Sequence, residues 1–206
     1  MLERSAFYFP NRRALVFKDR QWTYRELDRD ASALAAGLSG LGLKPGERIG
    51  LHVPNWPEFV LTYYAAQKIG VVPLSLNVTY KADEIAYICR DGEVAAVVTG
   101  DPVAGNLPSR ADVPSVRHLI NVGAPREGAV AFAALSGDPA LRALDLDREE
   151  TAAILYTSAT TGRRGRPLAA PRPPRRVPAD RPRVPRELTR RRPARPGATP
   201  APGHYG

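Results

Sequence analysis

The sequence predicts an α/β fold built on a mostly parallel sheet, and three observations carry that prediction. "IGLHV", "VVPLSL" and "VAAVVTG" are almost wholly apolar runs of strand length, as strands covered on both faces are. Between them lie "PNWPEFVLTYYAAQKIG" and "KADEIAYICRDG", which have the length and apolar spacing of helices. Strand and helix alternate through short turns, the order of βαβ units whose crossovers cover a sheet.

The elements follow in order. "ALVF" (14–17) and "QWTY" (21–24) are β-prone runs separated by "KDR", which predicts a hairpin. Thr23 has Glu26 three residues later, the spacing at which two side chains satisfy orphan backbone N–H groups at a helix start. The helix is then written in Leu27, Ala31, Leu34, Ala35, Leu38 and Leu41, with Arg25, Asp28 and Arg29 off that face and Gly40 and Gly42 as the stop. Residues 43–53 read as a Pro-Gly turn and a strand. Residues 54–70 read as a Pro-initiated helix that is apolar on most sides and therefore buried. A strand over 71–76, a helix over 81–92 ending at Gly92 and a strand over 94–100 come next. From Asp101 to Arg148 the pattern thins: 116–123 reads as a further strand, 132–137 as a short helix, and the Pro and Gly between them as surface loops. "TAAILYTSATTG" (151–162) reads as a strand running into a turn rich in Thr, Ser and Gly.

Charge divides the chain in two. Residues 1–162 carry 17 Lys and Arg against 19 Asp and Glu, whereas residues 163–206 carry 13 against 2, so the whole net charge of +9 comes from the tail. Nothing in the folded part supports a nucleic-acid reading, since taken as a whole it lacks the basic excess that such binding uses. Of the 40 residues from Pro167 to Gly206, 30 are Pro, Arg, Ala or Gly. Such a segment buries too little apolar surface to offset an ordering cost of roughly 1–2 kcal/mol per residue, so the expectation is a disordered, polyproline-like tail. The single cysteine, Cys89, excludes an internal disulfide and reads as a small buried hydrophobe in a reducing compartment. "MLERSAFYFPNRR" lacks the apolar core of a signal peptide, and no stretch reaches the ~18 apolar residues of a membrane span, which makes the cytoplasm the expected location.

Chemistry concentrates in "YTSATTG". Small residues let backbone N–H groups converge on a phosphate, and Thr157, Ser158, Thr160 and Thr161 add hydroxyl donors ahead of Gly162 and the cation Arg163. The segment is not a Walker loop, because G-x-x-x-x-G-K-[ST] is not met, and "GLGLKPG" (40–46) follows a helix where a dinucleotide fingerprint follows a strand. His52, His118 and His204 have no metal-ligand spacing, and His52, inside an apolar strand, reads as packed.

The order of the pieces resembles the adenylate-forming superfamily of acyl-CoA synthetases, peptide-synthetase adenylation domains and luciferases. "WTYRELDRDASALAAGLSGLGLKPGERIGLHVPNWPEF" and the chain onward to "VAAVVT" look like that family's N-terminal region. "AAILYTSATTG" falls where its signature loop, YTSGTTGxPKG, is expected. The resemblance covers about residues 10–162, and "PNWPEFV" with "VVPLSLNVTYKADEIAYI" is most similar to the fatty-acyl and related ligases. It implies a reaction of a carboxylic acid with Mg·ATP to give acyl-AMP and pyrophosphate, followed by displacement of AMP by coenzyme A. It also implies that Thr157, Ser158, Thr160, Thr161, Gly162 and Arg163 grip the β- and γ-phosphates, with no metal ligand or catalytic residue assigned in this chain.

Two departures bear on that implication. Ala159 stands where the family has glycine, and a methyl group at a positive φ costs about 1 kcal/mol. After Arg163 the expected P-K-G becomes Arg164, Gly165 and Arg166, and the family pattern stops. The expectation is therefore a ligase domain over 1–162 that lacks the catalytic parts and is inactive alone, with a sheet edge left bare after Tyr156. Arg, Pro, Ala and Gly share GC-rich codons, so the tail over 163–206 is expected to arise from a shifted reading frame. The competing reading is a binding module whose basic tail contacts nucleic acid or acidic membrane by charge attraction.

Overall fold

The computed structural model describes residues 2–147, 150–156 and 167–171. A short helix α1 (Leu2–Tyr8) precedes the expected hairpin of β1 (Arg13–Phe17) and β2 (Arg20–Thr23), which pair antiparallel. Helix α2 (Tyr24–Gly40) starts as predicted: Thr23 Oγ1 accepts from the Glu26 N–H at 3.2 Å, and the Glu26 carboxylate accepts from the Thr23 N–H at 2.8 Å. Leu2, Trp22, Leu27 and Ala31 form a small core that fixes the hairpin and α1 to α2.

The main sheet then assembles from β3 (Arg48–His52), β4 (Val72–Ser75), β5 (Val94–Gly100), β6 (His118–Val122), β7 (Val130–Ala131), β8 (Thr151–Tyr156) and β9 (Pro167–Pro171). Its spatial order is β7-β6-β5-β3-β4-β8-β9, with every pairing parallel except β8 with β9. Helix α3 (Pro57–Lys68) links β3 to β4, and α4 (Ala82–Asp91) links β4 to β5. Alternate strand residues face opposite layers. Ile49, Leu51, Val98 and Ile120 pack with Leu34, Leu38 and Ala65 of α2 and α3, whereas Leu74, Val97 and Leu119 pack with Ile85, Ile88 and Cys89 of α4. Both faces are covered, which is why the strands read as continuous apolar runs. Cys89 is buried among these side chains, and burial pushes its thiol up to about 12, so it is an inert core residue at neutral pH.

Four elements differ from the sequence reading. Helix α1 has no counterpart there, because seven residues are too few for a periodic signature. The short helix expected over 132–137 is a single 3-10 turn at Phe132–Ala134, and the two-residue β7 lies just before it. The fourth is β9: residues 167–171, assigned by composition to chain without a fold, run antiparallel to β8 in the register Tyr156↔Pro167 to Thr151↔Pro171. The bare edge expected beside Tyr156 is thereby paired. The physical reason is that an outer strand offers backbone N–H and C=O groups that any extended chain can satisfy whatever its side chains. Proline is tolerated there because an outermost strand has no further neighbour to donate to. Residues 172–206 of the expected tail lie outside the described residues.

Candidate nucleotide-binding site

The strand that leads into the predicted phosphate loop is fixed on three sides. β8 pairs with β4 through Leu74↔Ile154 and Ser75↔Leu155, and with β9 on its other edge. From α3, Gln67 Nε2 donates to the Ala152 carbonyl at 3.3 Å. Ile154 and Tyr156 pack against the α4 layer, and the Tyr156 hydroxyl donates to Asp91 Oδ2 at 2.5 Å, tying the end of β8 to the end of α4. Burial, reinforced by that hydrogen bond to a carboxylate, holds the Tyr156 phenol well above its ordinary range, so it stays a proton donor at neutral pH.

β8 runs parallel to β4, so Tyr156 lies at the carboxyl edge of the sheet, where open α/β folds take their ligands. Tyr156 pairs with Pro167, so the last residue of β8 and the first of β9 sit side by side on that edge. The predicted site residues Thr157, Ser158, Thr160, Thr161, Gly162 and Arg163, and the departure at Ala159, lie outside the described residues. What the structure places is their root.

The same edge carries a second polar group that sequence reasoning did not assemble. The connections from β3 and β5 depart in opposite directions, and at that switch point His52 and Thr99 are cross-strand partners, with Asn121 next in register. All three are buried, and His52 Nδ1 lies 3.3 Å from Thr99 Oγ1. Burial lowers the His52 pKa, which keeps the imidazole neutral and agrees with a packed role. Asn121 Nδ2 donates to Asp101 Oδ1 at 2.7 Å and to the Ala124 carbonyl at 2.8 Å, while the Ala124 N–H donates to Asp101 Oδ2 at 2.8 Å. The Ala124 N–H and then the Asn121 amide hold the Asp101 carboxyl below its usual range. Gly123, at φ +126°, turns under this latch, and a Cβ there would collide with the Asp101 carboxylate. Trp56 lies over Gly100, where a Cβ would come within 2.9 Å of the indole. No local spacing announces this cluster, since its members meet only through strand register.

Among the described residues no group of three or more His, Cys, Asp or Glu gathers to hold a metal ion, and no helix is long and apolar enough to cross a membrane.

A doubly covered, mostly parallel sheet with the predicted phosphate segment rooted at its carboxyl edge defines an open α/β domain. The chain belongs to the AMP-binding enzyme family, which matches residues 2–164. It is 32% identical over 166 residues to triostin synthetase I of Streptomyces triostinicus, covering 79% of this chain and 31% of that protein. It is 34% identical over 101 residues to a long-chain-fatty-acid–CoA ligase of Bacillus subtilis, covering 49% of this chain and 18% of that one. Its fold is similar to that of the anthranilate CoA ligase AuaEII, solved with anthranoyl-AMP, at a TM-score of 0.73 and 29% identity over 82% of this chain and 33% of that one. The chain thus spans less than a third of the length of the curated relatives it matches.

Proposed function

We propose that this chain is the N-terminal part of a cytoplasmic AMP-dependent acyl-CoA synthetase acting on a fatty acid or a related carboxylic acid. In the whole reaction a carboxylate oxygen attacks the α-phosphorus of ATP and pyrophosphate leaves. The thiol of coenzyme A then attacks the acyl carbon and AMP leaves. Thr157, Ser158, Thr160, Thr161, Gly162 and Arg163 are the groups proposed to hold the β- and γ-phosphates, stabilising the charge that moves onto pyrophosphate.

The observation that carries this reading is the root of that segment: β8 ends at the carboxyl edge of a parallel sheet, and the family match runs through the segment to residue 164. The choice of acid is supported by the likeness of 54–60 and 71–88 to fatty-acyl ligases and by the 34% identity to the Bacillus subtilis ligase. Magnesium accompanies ATP in such enzymes and would neutralise phosphate charge. Among the described residues no cluster of His, Cys, Asp or Glu gathers to hold it.

The 206-residue chain alone is proposed to bind Mg·ATP without completing the reaction. Calorimetry with Mg·ATP, and pyrophosphate release in the presence of coenzyme A and a series of fatty acids, test the two halves. Binding without release is expected. Absence of binding contradicts the phosphate grip, and sustained release contradicts inactivity.

A further inference from the structure

The first 25 residues are electrically unlike the rest of the folded part. They carry six Lys and Arg against two Asp and Glu, whereas residues 26–162 carry 11 against 17. In the structure part of this excess lies beside exposed apolar surface. Phe7 and Phe9 are 44% and 47% exposed at the end of α1 and in the turn after it, and both rings contact Tyr8, at centroid distances of 5.1 and 6.4 Å. The Arg4 guanidinium sits 5.9 Å from the Tyr8 ring and that of Arg12 5.0 Å from the Phe9 ring. Arg25 is brought beside the turn by its N–H, which donates to the Pro10 carbonyl at 3.1 Å.

Neither acidic group of these 25 residues forms an ion pair with these arginines among the described residues. Glu3 points inward, accepting from Lys68 Nζ and from the Ala143 N–H, and Asp19 lies at the tip of the hairpin. Arg4, Arg12, Arg13 and Arg25 are exposed, and none forms an ion pair among the described residues. Two exposed benzyl groups in a segment whose exposed guanidinium groups form no ion pair among the described residues match one kind of partner. An anionic bilayer presents phosphates at the height of the arginines and acyl chains just beneath, where the rings can go. A nucleic-acid duplex would satisfy the arginines but, with its bases already stacked on one another, would leave two exposed phenylalanine rings without an apolar phase.

We infer that the end of α1 and the turn that follows form a docking surface for anionic phospholipid membranes, with Phe7 and Phe9 entering the interface and Arg4, Arg12, Arg13 and Arg25 contacting headgroups. The inference is independent of the basic tail, and the test separates the two.

The full 206-residue chain is co-sedimented with vesicles of phosphatidylcholine alone and of phosphatidylcholine mixed with phosphatidylglycerol. Two double variants are compared, F7S/F9S and R12E/R25E, each checked by circular dichroism. R4E/R13E replaces the second if it fails to fold. A cation near an anionic surface is worth about fivefold in partitioning, so the arginine variant should bind the mixed vesicles at least about tenfold more weakly than wild type. The phenylalanine variant should lose about tenfold as well. Wild type should bind mixed vesicles and not phosphatidylcholine alone. Failure of wild type to bind, or wild-type affinity in both variants, overturns the inference; the latter result would place any binding in residues 163–206. Loss in the arginine variant alone also overturns it, since the rings would then play no part.

Discussion

Lys68, at the end of α3, gives the sharpest stability test of the fold. It is a buried lysine, 3% exposed, whose Nζ lies 2.9 Å from Glu3 Oε1 and 2.8 Å from Asp28 Oδ1. Glu3 also accepts from the Ala143 N–H, and the Lys68 carbonyl accepts from the Leu144 N–H, so one ammonium group joins α1, α2, α3 and the segment before β8. Lys68→Met keeps the aliphatic stem and removes the charge. Leaving a fully buried partner uncompensated costs about 3–5 kcal/mol. The Glu3 and Asp28 side chains are 34% and 24% exposed and recover part of their hydration, which brings the expected cost to about 2 kcal/mol. For a chain of this size that is a fall of about 4–8 °C in melting temperature. Urea unfolding followed by circular dichroism measures it. Adding Glu3→Gln and Asp28→Asn to Lys68→Met should recover at least half of the loss by removing the stranded charges. A single-variant cost below about 0.5 kcal/mol, or a triple variant worse than the single, refutes the argument that the ion triad holds these elements together.

Two further perturbations test the carboxyl edge of the sheet. Burial depresses the folded-state pKa of His52, so between that value and the ordinary value near 6.5 the unfolded chain binds a proton that the folded chain refuses. Stability from this residue is complete above about pH 6.5 and falls as the pH drops, by at most about 1.4 kcal/mol per unit. Urea midpoints from pH 7.5 down to 5.5 should fall more steeply for wild type than for His52→Gln, and parallel slopes would contradict the assignment. Gly123→Ala forces a methyl group onto the Asp101 carboxylate at a positive φ, and should cost about 2 kcal/mol or more by urea titration; a loss under about 0.5 kcal/mol would show that the Asp101–Asn121–Ala124 latch yields freely.

The parts of this fold that were legible in the sequence are those whose causes are local. The capping pair Thr23 and Glu26, the apolar stripe of α2 and the uninterrupted β5 each need only neighbouring residues to declare themselves, and each is found as read. Helix α1 escaped because Leu2 is its one buried side chain, anchored by Trp22 and Leu27 of other elements. β9 escaped for the opposite reason: its backbone is recruited by the free edge of β8, and composition carries no trace of such an offer. At the candidate site, the hydroxyl-rich segment after β8 was legible as residue types in order. Its anchoring was not, because Tyr156 and Asp91, 65 residues apart, meet only through the packing of α4 against the sheet. His52, Thr99 and Asn121 likewise become neighbours through a strand order that runs against chain order.

The central claim is that the segment leaving β8 grips the outer phosphates of a nucleotide. Calorimetric titration of the 206-residue chain with Mg·ATP and with AMP, repeated for Arg163→Ala, tests it most directly. Mg·ATP should bind at least about tenfold more tightly than AMP, the worth of one or two charge-assisted hydrogen bonds, and Arg163→Ala should erase most of that preference. Equal affinity for ATP and AMP, or a preference that survives Arg163→Ala unchanged, would contradict it.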